Sequence, residues 1–493
     1  MRATANIAGH LAYLALCIAL ALSVPGHALA RSSGVLIVIG AIGAWRYGWA
    51  VVNFSRAVWY LRVAYPRLKR RAMTRYARRA NPAHAYFLIT TYKIEPAISV
   101  EVYRALFRAA ARSDGGATIV ASVVDIADER LIRTLFERMP ETAAGVHLVV
   151  DRIAGTGKRD ALARSLRLIA RQAPSRHDVV VFVDGDSCVP PDIVARTAPI
   201  FTDPAYGALT TDERVAIRQP GLFRDWFRLR FIQRQVMMSS TGLSGRVLTL
   251  TGRMSVFRAD LATDPDFVRQ VQHDHIDHWR LGRVRFVTGD DKSTWFWLLK
   301  HGYLMAYLPD VASVSMETQP RPGFVDSAVT LMIRWFGNML RNSGRALALP
   351  PRRIGYFTWW SVLDQRLGIW TTLSGPISIM LTAIFIEPLI LPAYLAWILF
   401  TRYLYCTILC AFRGQSFPIS FPFLLYFGQI VGAGVKSFVL FRLDRQRWTR
   451  QSSAASATAR PAGARIRALS SVYLHSLTLG WLTLGVLLLT GIL

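Results

Sequence analysis

The sequence contains little cysteine, little lysine and comparatively few acidic residues. Three of its four cysteines lie in apolar runs, and the four form neither a disulfide framework nor a zinc-site spacing. We therefore expect a protein in contact with a reducing cytosol that folds without disulfides. Lysine occurs at only six positions, so arginine carries most of the excess of 59 basic over 31 acidic residues, which gives a formal net charge of +28.

The arginine excess has three interpretations. It can reflect positively charged loops on the cytosolic side of membrane spans. It can also indicate that the protein handles a polyanion, because the guanidinium fork binds both oxygens of a phosphate or carboxylate. The third interpretation is nucleic-acid binding, but the sequence has no zinc-ligand spacing, helix-turn-helix signal or RNA-binding aromatic motif. We therefore expect no nucleic-acid partner.

Hydrophobic residues make up 52% of the chain and collect in long runs near its two ends. Runs of about 20 apolar residues can cross the roughly 30 Å hydrocarbon core of a bilayer as helices. The triplet Ala28-Leu29-Ala30 resembles a signal-peptidase site, but the length of its apolar stretch favours an uncleaved anchor. The apolar runs span residues 8–30, 34–54, 367–386, 389–412, 419–441 and 469–493.

Two basic clusters, at residues 62–79 and 442–467, indicate the cytosolic side of the membrane. If both are cytosolic, an even number of crossings must separate them. We therefore predict that the run at 419–441, which Pro422 and Lys436 interrupt, lies at the interface or re-enters. The other five runs would cross the membrane.

The part of the chain between the apolar runs alternates short β-branched strands with helices, a pattern that predicts a doubly wound α/β domain with a mostly parallel sheet. Strands are predicted at 85–90, 118–124, 147–150 and 179–183. The predicted divisions are two transmembrane helices (1–55), a basic cytosolic linker (56–80), the α/β domain (81–320), interfacial helices (321–366), two transmembrane helices (367–412), an interfacial or re-entrant helix with a basic cytosolic segment (413–468) and a last transmembrane helix (469–493).

Asp184 and Asp186, separated by one glycine, directly follow the most apolar of these strands. Two carboxylates at a strand end can share one divalent cation, and Mg²⁺ accepts one or two protein carboxylates together with substrate phosphates. An Asp-x-Asp triplet is common by chance, but its position after a buried strand favours a binding site for Mg²⁺ or Mn²⁺.

Two more segments lie where strands end. Asp125 could accept hydrogen bonds from a nucleotide base or ribose or, equally well, cap the next helix. The sequence GTGKRD at 155–160 precedes a helix but lacks the glycine spacing of a Walker A loop. Its backbone N–H groups, together with Lys158 and Arg159, suit a diphosphate.

Asp290 and Asp291 follow a strand predicted at 284–287 and precede Trp295 and Trp297. One of these acids could be a general base, with its pKa raised by the aromatic rings and the neighbouring carboxylate. Alternatively, the two acids only mark the start of a helix.

Arg334 and Trp335 lie in a predicted helix just before the first returning apolar run. They could clamp a departing diphosphate or anchor the helix at the membrane interface. The segment 220–236 interleaves aromatic residues with arginines and predicts an amphipathic surface helix, which either docks on lipid or lines a groove for substrate.

The order of these motifs resembles that of the processive synthases of glycosyltransferase family 2, such as cellulose, chitin and hyaluronan synthases. The details resemble the bacterial alginate polymerases (mannuronan synthases) of that family, from about residue 45 to 451. The segments that carry this resemblance are GTGKRDA (155–161), LTLTGRMSVFR (248–258), HWRLG (278–282), TGDDKS (288–293), RWFGN (334–338) and FRLDRQRWTRQ (441–451).

The resemblance implies a GT-A-like catalytic domain, inserted between transmembrane helices, with a role for each nucleotide-side motif. Asp125 would contact the nucleotide. Asp184 would bind the diphosphate and, with Asp186, its divalent metal. Lys158 would neutralise the phosphates.

The resemblance also implies the catalytic residues. Asp291 would be the base, supported by Asp290. Arg334 and Trp335 match the end of the Gln-x-x-Arg-Trp motif of the family, but Leu331 replaces the Gln, which leaves the usual acceptor contact of that Gln in question.

Trp448, Thr449 and Arg450 resemble a gating segment at the mouth of the polymer channel, without its glycine. The resemblance further implies GDP-mannuronate as donor, a growing polyuronate chain, the bacterial inner membrane with its lipid, a partner that binds cyclic di-GMP, and a periplasmic export complex. Two alternatives stay open: a related synthase that uses another sugar nucleotide, and a degenerate subunit that supports export without catalysis.

Overall fold

The computed structural model describes residues 2–139, 145–446 and 463–491. The strands, in chain order, are β1 Ala85–Thr90, β2 Ala117–Val123, β3 Val146–Arg152, β4 Val179–Asp184, β5 Ser187–Cys188, β6 Tyr206–Ala216, β7 Met254–Arg258, β8 His275–His278, β9 Gly282–Arg285 and β10 Leu304–Met316. Eight of them form one sheet in the order β3-β2-β1-β4-β7-β6-β10-β5, while β8 and β9 pair separately.

The large sheet is mostly parallel, as predicted, because only β5 and β7 run against their neighbours. The four predicted strands before the first acidic pair correspond to β1 to β4. The strand predicted at 284–287 corresponds to β9, which lies two residues earlier, ends at Arg285 and pairs with β8 alone. Asp290 therefore follows a small hairpin rather than a strand of the main sheet.

The strand order reverses beside β1. β2 and β3 extend the sheet on one side of β1, and β4 pairs on its other side. Connecting helices then pass to opposite faces, which leaves a crevice at the carboxyl ends of β1 and β4, where doubly wound sheets bind ligands. Thr90 at the end of β1 pairs with Asp184 at the end of β4. The first acidic motif therefore lies at this crevice.

Helices of the α/β domain pack on the sheet through buried apolar side chains, and together they form the largest core of the protein. The helices up to the last strand are α4 Tyr65–Tyr76, α5 Pro96–Ala111, α6 Ile126–Glu137, α7 Lys158–Ala170, α8 Ile193–Thr197, α9 Leu222–Gly242, α10 Ala259–Ala262, α11 Pro265–His273 and α12 Asp290–His301. A 3-10 turn, Ala198–Thr202, follows α8.

The remaining helices flank this domain in sequence. They are α1 Arg2–Leu22, α2 Gly26–Arg31, α3 Ser33–Trp59, α13 Phe324–Leu347, α14 Pro351–Ile354, α15 Tyr356–Phe385, α16 Ile390–Arg413, α17 Ser420–Leu440 and α18 Ala464–Leu489. In the described part of the chain, five helices are long and apolar enough to cross a membrane: Ser33–Tyr76, Tyr356–Phe385, Ile390–Arg413, Ser420–Leu440 and Arg465–Leu489.

One set of helix ends meets in a small apolar cluster. Val35 of α3 packs there with Ile379 of α15 and Ile390 of α16. A Cβ atom on Gly34 would lie 3.1 Å from the carbonyl oxygen of Thr490, just beyond α18. The start of α3, the end of α15, the start of α16 and the end of α18 therefore lie together.

The opposite ends of the same helices contact the α/β domain. Arg56 near the end of α3 donates to Ser244 Oγ at 2.6 Å. Arg413 at the end of α16 pairs with Asp212 at 2.8 Å. Arg280, between β8 and β9, donates to hydroxyl groups of α18. These contacts give the spanning helices alternating directions relative to the domain.

Both ends of α17 contact the α/β domain. Ser420 at its start donates to Asp225 Oδ2 at 2.9 Å. Beyond its end, Gln446 donates to the carbonyl oxygen of Arg285 at 2.7 Å. The helix continues unbroken past Pro422, so the predicted interruption does not occur. It is among the five helices that are long and apolar enough to cross a membrane, so its interfacial or re-entrant placement stays a prediction.

Several predicted boundaries need correction. The first apolar run is two helices, because α1 ends at Leu22 and Pro25 precedes α2. The linker predicted at 56–80 is largely helical, through a π-helical turn and α4. The later spans begin earlier than predicted, at Tyr356 and Ala464, because polar residues extend the helices beyond their apolar cores.

The amphipathic segment predicted at 220–236 forms α9, but it does not lie on the surface. Its aromatic side chains, including Trp226 and Phe227, are buried against α13, α16 and α17. The helix therefore joins the α/β domain to the membrane helices.

Candidate active site

Three elements bring ionised side chains together at the carboxyl end of β4. Lys158 at the start of α7 lies between two acids, with its Nζ 2.6 Å from Asp184 Oδ1 and 3.0 Å from Asp290 Oδ2. A Cβ atom on Gly252 would lie 3.6 Å from Asp184 Oδ2 and 3.9 Å from Asp291 Cβ. The structure therefore brings together Lys158 and both predicted acidic motifs.

Glycine residues allow these motifs to approach so closely. A Cβ atom on Gly185 would lie 2.6 Å from the carbonyl oxygen of Thr90. Gly289, before α12, has a φ of +82°, and a Cβ atom there would lie 2.7 Å from Asn338 Cγ. Asn338 also accepts a hydrogen bond from Thr288 Oγ1 at 2.8 Å. The loop before Asp290 thus depends on the close approach of α13.

Lys158 determines the charge state of its neighbours. Burial acts against its ammonium charge, but Asp184 and Asp290 raise the pKa of Lys158, so it stays charged. Burial also acts against ionisation of Asp290, yet Lys158 and Arg159 hold the pKa of Asp290 below its usual range. Asp290 is therefore a fixed anion beside Asp291.

Asp291 and Asp184 respond in the opposite direction. Burial, and then the charge of Asp290, raises the pKa of Asp291 above its usual range. Burial likewise raises the pKa of Asp184 to about 6, and Asp186 and Asp290 add to the effect while Lys158 opposes it. Neighbouring carboxylates with pKa values moved apart can divide the roles of base and electrostatic partner.

A second group of charged side chains, centred on Arg253, lies between the acidic motifs and α13. Arg253, after the Gly252 turn, pairs with Glu317 at 2.6 Å and lies 3.6 Å from buried Glu213. Asp186 lies within electrostatic reach of both Arg253 and Arg334. Arg253 lies in the segment that carries the family resemblance, but sequence reasoning gave no role to Glu213 or Glu317. Glu213 lies in β6 between Asp212 and Arg214, and Glu317 directly follows β10, so neither has a distinctive sequence signal.

Arg334 and Trp335 point to different neighbours. Burial lowers the pKa of Arg334, while the charges of Glu317, Asp184 and Asp186 oppose that shift, so its guanidinium lies within electrostatic reach of the first acidic pair. Trp335 instead stacks on Trp226 of α9, with ring centroids 5.7 Å apart. Trp335 therefore contacts α9, and the clamp on a departing diphosphate stays a prediction.

The structure gives Arg159 a different role from the predicted phosphate contact. Its guanidinium is buried and donates to the carbonyl oxygens of Val271 at 2.7 Å and Thr288 at 3.2 Å. It also donates to Ser293 Oγ at 2.8 Å. Arg159 therefore positions the loop that carries the second acidic pair.

The other predicted positions have different outcomes. Asp125 caps α6, with its Oδ1 accepting from the N–H of Ala127 at 2.9 Å, and its nucleotide contact stays a prediction. The gating segment at 448–450 lies outside the described residues.

Among the described residues, no group of three or more His, Cys, Asp or Glu side chains could hold a metal ion. Asp184 and Asp186 supply two carboxylates, a number that Mg²⁺ uses with phosphates.

A mostly parallel sheet with paired acids at its switch point, followed by apolar helices, defines a GT-A-like glycosyltransferase. Residues 82–338 match the profile described as glycosyltransferase like family 2. The chain belongs to this family.

Two curated relatives are both named Glycosyltransferase alg8. The protein from Pseudomonas syringae pv. tomato is 40% identical over 448 residues, which is 90% of each chain. The protein from Azotobacter vinelandii is 40% identical over 449 residues, again 90% of each chain. These relatives confirm the resemblance to the alginate polymerases.

Among solved structures, a mannosyltransferase from Pyrobaculum calidifontis, in complex with GDP-Man and Mn²⁺, is similar to this chain. The likeness has a TM-score of 0.40 at 16% identity and covers 93% of this chain and 98% of the other.

Proposed function

We propose that the protein polymerises mannuronic acid from GDP-mannuronate into β-1,4-linked polymannuronate and passes the chain across the bacterial inner membrane. The observation that carries this proposal is the convergence of Lys158, Asp184, Asp290 and Asp291 at the switch point of the sheet, beside α13 and the membrane helices. The two alg8 relatives support the choice of polymer. The α/β domain would face the cytosol, where sugar nucleotides are made.

The residues present fit a divalent metal. Asp184 and Asp186 would hold Mg²⁺ or Mn²⁺, which when bound polarises the diphosphate and offsets the charge that develops on the departing GDP. Lys158 and Arg334 would add fixed positive charge beside the same phosphates. Asp125, exposed beyond β2, would contact the nucleotide with its remaining acceptor capacity.

Asp291 would act as the general base. It would take the proton from the C4 hydroxyl of the chain end as that oxygen attacks C1 of the donor, on the face opposite GDP. The bond from C1 to the diphosphate breaks, and the α-linked donor becomes a β link. The raised pKa of Asp291 suits this role, since a more basic carboxylate accepts the proton more readily.

Further partners follow from the same proposal. The growing chain would leave between the membrane helices past the gating segment Trp448, Thr449 and Arg450. A co-polymerase that binds cyclic di-GMP and a periplasmic export complex would act with it, in contact with membrane lipid.

Replacing Asp291 by Asn tests the base assignment. Without the carboxylate, we expect polymer synthesis from GDP-mannuronate in membranes to fall by about 10³-fold, within the range for loss of a general base. The matched control is Asp114→Asn, an exposed acid, which should keep wild-type activity. Wild-type activity in Asp291→Asn would refute the assignment.

Supplying UDP-sugars in place of GDP-mannuronate tests the donor, because a related synthase would use one of them instead.

A further inference from the structure

Ionisable side chains continue from the active site into the membrane helices. Arg46 of α3 pairs with Asp364 of α15 at 2.6 Å. Both residues lie inside apolar helices that are long enough to span a bilayer. Charged groups at such depth are costly, and they usually face the interior of a helix bundle or mark the path of a substrate.

Arg402 of α16 forms a second charged point in the same region. Its Nε donates to Gln429 Oε1 of α17 at 2.6 Å, and its Nη1 donates to Tyr47 Oη at 3.1 Å. Tyr394 and Tyr426 share a hydrogen bond of 3.2 Å between the same two helices. The partners of Arg402 are neutral, so they orient its guanidinium without cancelling its charge.

Two further cations link these positions to the active site. Lys436 of α17 lies over the ring of Phe336 at 4.7 Å, and it is within electrostatic reach of Arg230, Arg46 and Asp364. Arg230 of α9 lies over the Trp335 ring at 4.2 Å, one residue from Arg334.

We name Arg230, Lys436, Arg46 and Arg402 the cationic seam. Among the described residues, Asp364 is the one acid that forms a salt bridge with it, and Glu213 reaches Arg230 only electrostatically. All four cations are only partly buried. A set of helices held together by ion pairs would carry equal numbers of acids and bases, because an uncompensated charge in a low dielectric is unfavourable. The surplus of cations therefore indicates that negative charge from outside the protein completes this region.

We propose that the cationic seam conducts the polyuronate product, with the carboxylates of successive sugars pairing with Arg230, Lys436, Arg46 and Arg402 in turn. This inference rests on the proposed function, because a neutral polymer would bring no carboxylates. Guanidinium groups bind carboxylates in a bidentate manner. Several sites of moderate strength suit conduction better than one strong site, since each carboxylate must also leave. Asp364 competes for Arg46 and so weakens its grip on the polymer.

The test uses inverted inner-membrane vesicles that contain the full chain and its partners. Labelled GDP-mannuronate is added outside, and polymer that resists external alginate lyase counts as translocated. We expect Arg402→Gln and Lys436→Gln to lower the protected fraction at least about fivefold, while the initial rate of GDP release stays within about twofold of wild type. The matched control is Arg465→Gln, an exposed arginine at the start of α18, which should leave both quantities unchanged.

Charge-retaining variants separate conduction from a structural role. Arg402→Lys and Lys436→Arg should restore most of the protected fraction if charge is what matters. Equal defects in Arg402→Lys and Arg402→Gln would overturn the inference, as would unchanged protection in both glutamine variants. A wild-type protein that makes a neutral polymer from another donor would overturn the proposed function together with the seam. If Arg402→Gln and Lys436→Gln make polymer normally and the lyase-protected fraction is unchanged, the role of the seam is overturned but the proposed function is not.

Discussion

The two charged regions of this protein differ in how their charges are balanced. At the active site, Lys158 lies between Asp184 and Asp290, and acids and bases alternate through Arg253 and Glu317. In the cationic seam, Asp364 pairs with Arg46, and the other three cations form no salt bridge among the described residues. A balanced group holds its geometry without help and can position a small charged donor. We infer that the unpaired cations of the seam are instead neutralised by the carboxylates of the polymer as it passes.

Among the changes that distinguish the active site from the cationic seam, Lys158→Gln should have the largest effect on synthesis. This change leaves Asp184 and Asp290 without their shared cation, so the acids repel each other and the phosphates lose a positive charge. We expect synthesis to fall by about 10³-fold, as for loss of a preorganised electrostatic group. The share of the remaining polymer that is translocated should stay constant. Lys300→Gln, at an exposed position of α12, is the control. A drop in the translocated share would show that the two regions are not independent.

A smaller loss should follow from Gly289→Ala, compared with Gly302→Ala. The two glycines have φ angles of +82° and +80°, so both substitutions carry the same backbone strain. Only at Gly289 does the new Cβ meet a neighbour, Asn338, at 2.7 Å. We expect Gly302→Ala to cost about 1 kcal/mol of stability with near-normal synthesis. Gly289→Ala should lose at least about tenfold in synthesis, because the helix start that carries Asp290 must move. Equal activities would contradict the proposed contact.

The pH dependence of synthesis should give the smallest effect. The base must be deprotonated, and burial raises the pKa of Asp291. Synthesis should therefore fall as the pH drops, beginning at a higher pH than for an ordinary aspartate. The three arginines and Lys436 of the seam all keep their charge as the pH drops, so the translocated share of the polymer should change less with pH than the rate of GDP release. Measuring GDP release and protected polymer at each pH checks both statements. An acid limb in the translocated share would place a titrating group on the polymer path.

The sequence was sufficient for the parts of the site that local pattern encodes. Asp184 and Asp186 were recognisable because they end an apolar strand, and Lys158 because it begins a helix after two glycines. Each of these residues lies at the boundary of a strand or helix, and hydrophobic periodicity over a few residues locates such boundaries.

Other features depend on contacts between distant segments, which periodicity does not encode. Arg159 is next to Lys158 in sequence but donates to carbonyl oxygens more than 100 residues away, and so became a positioning residue. Asn338 likewise supports the loop of Gly289 from a different helix, α13. The prediction for α9 failed for the same reason. Its alternation of aromatic and arginine residues suits a surface helix as well as it suits a helix packed between the α/β domain and the membrane helices.

The helix from Ser33 to Tyr76 has a mechanical consequence. It runs through 44 residues, including the π-helical turn, without a break, and at 1.5 Å per residue it is about 66 Å long. The first part of this rod is apolar enough to cross a bilayer, and its other end packs against the 3-10 turn after α8, so in a membrane it would prevent the α/β domain from tilting freely. Each newly lengthened chain would then start its exit from the same height and angle, so successive additions need no realignment.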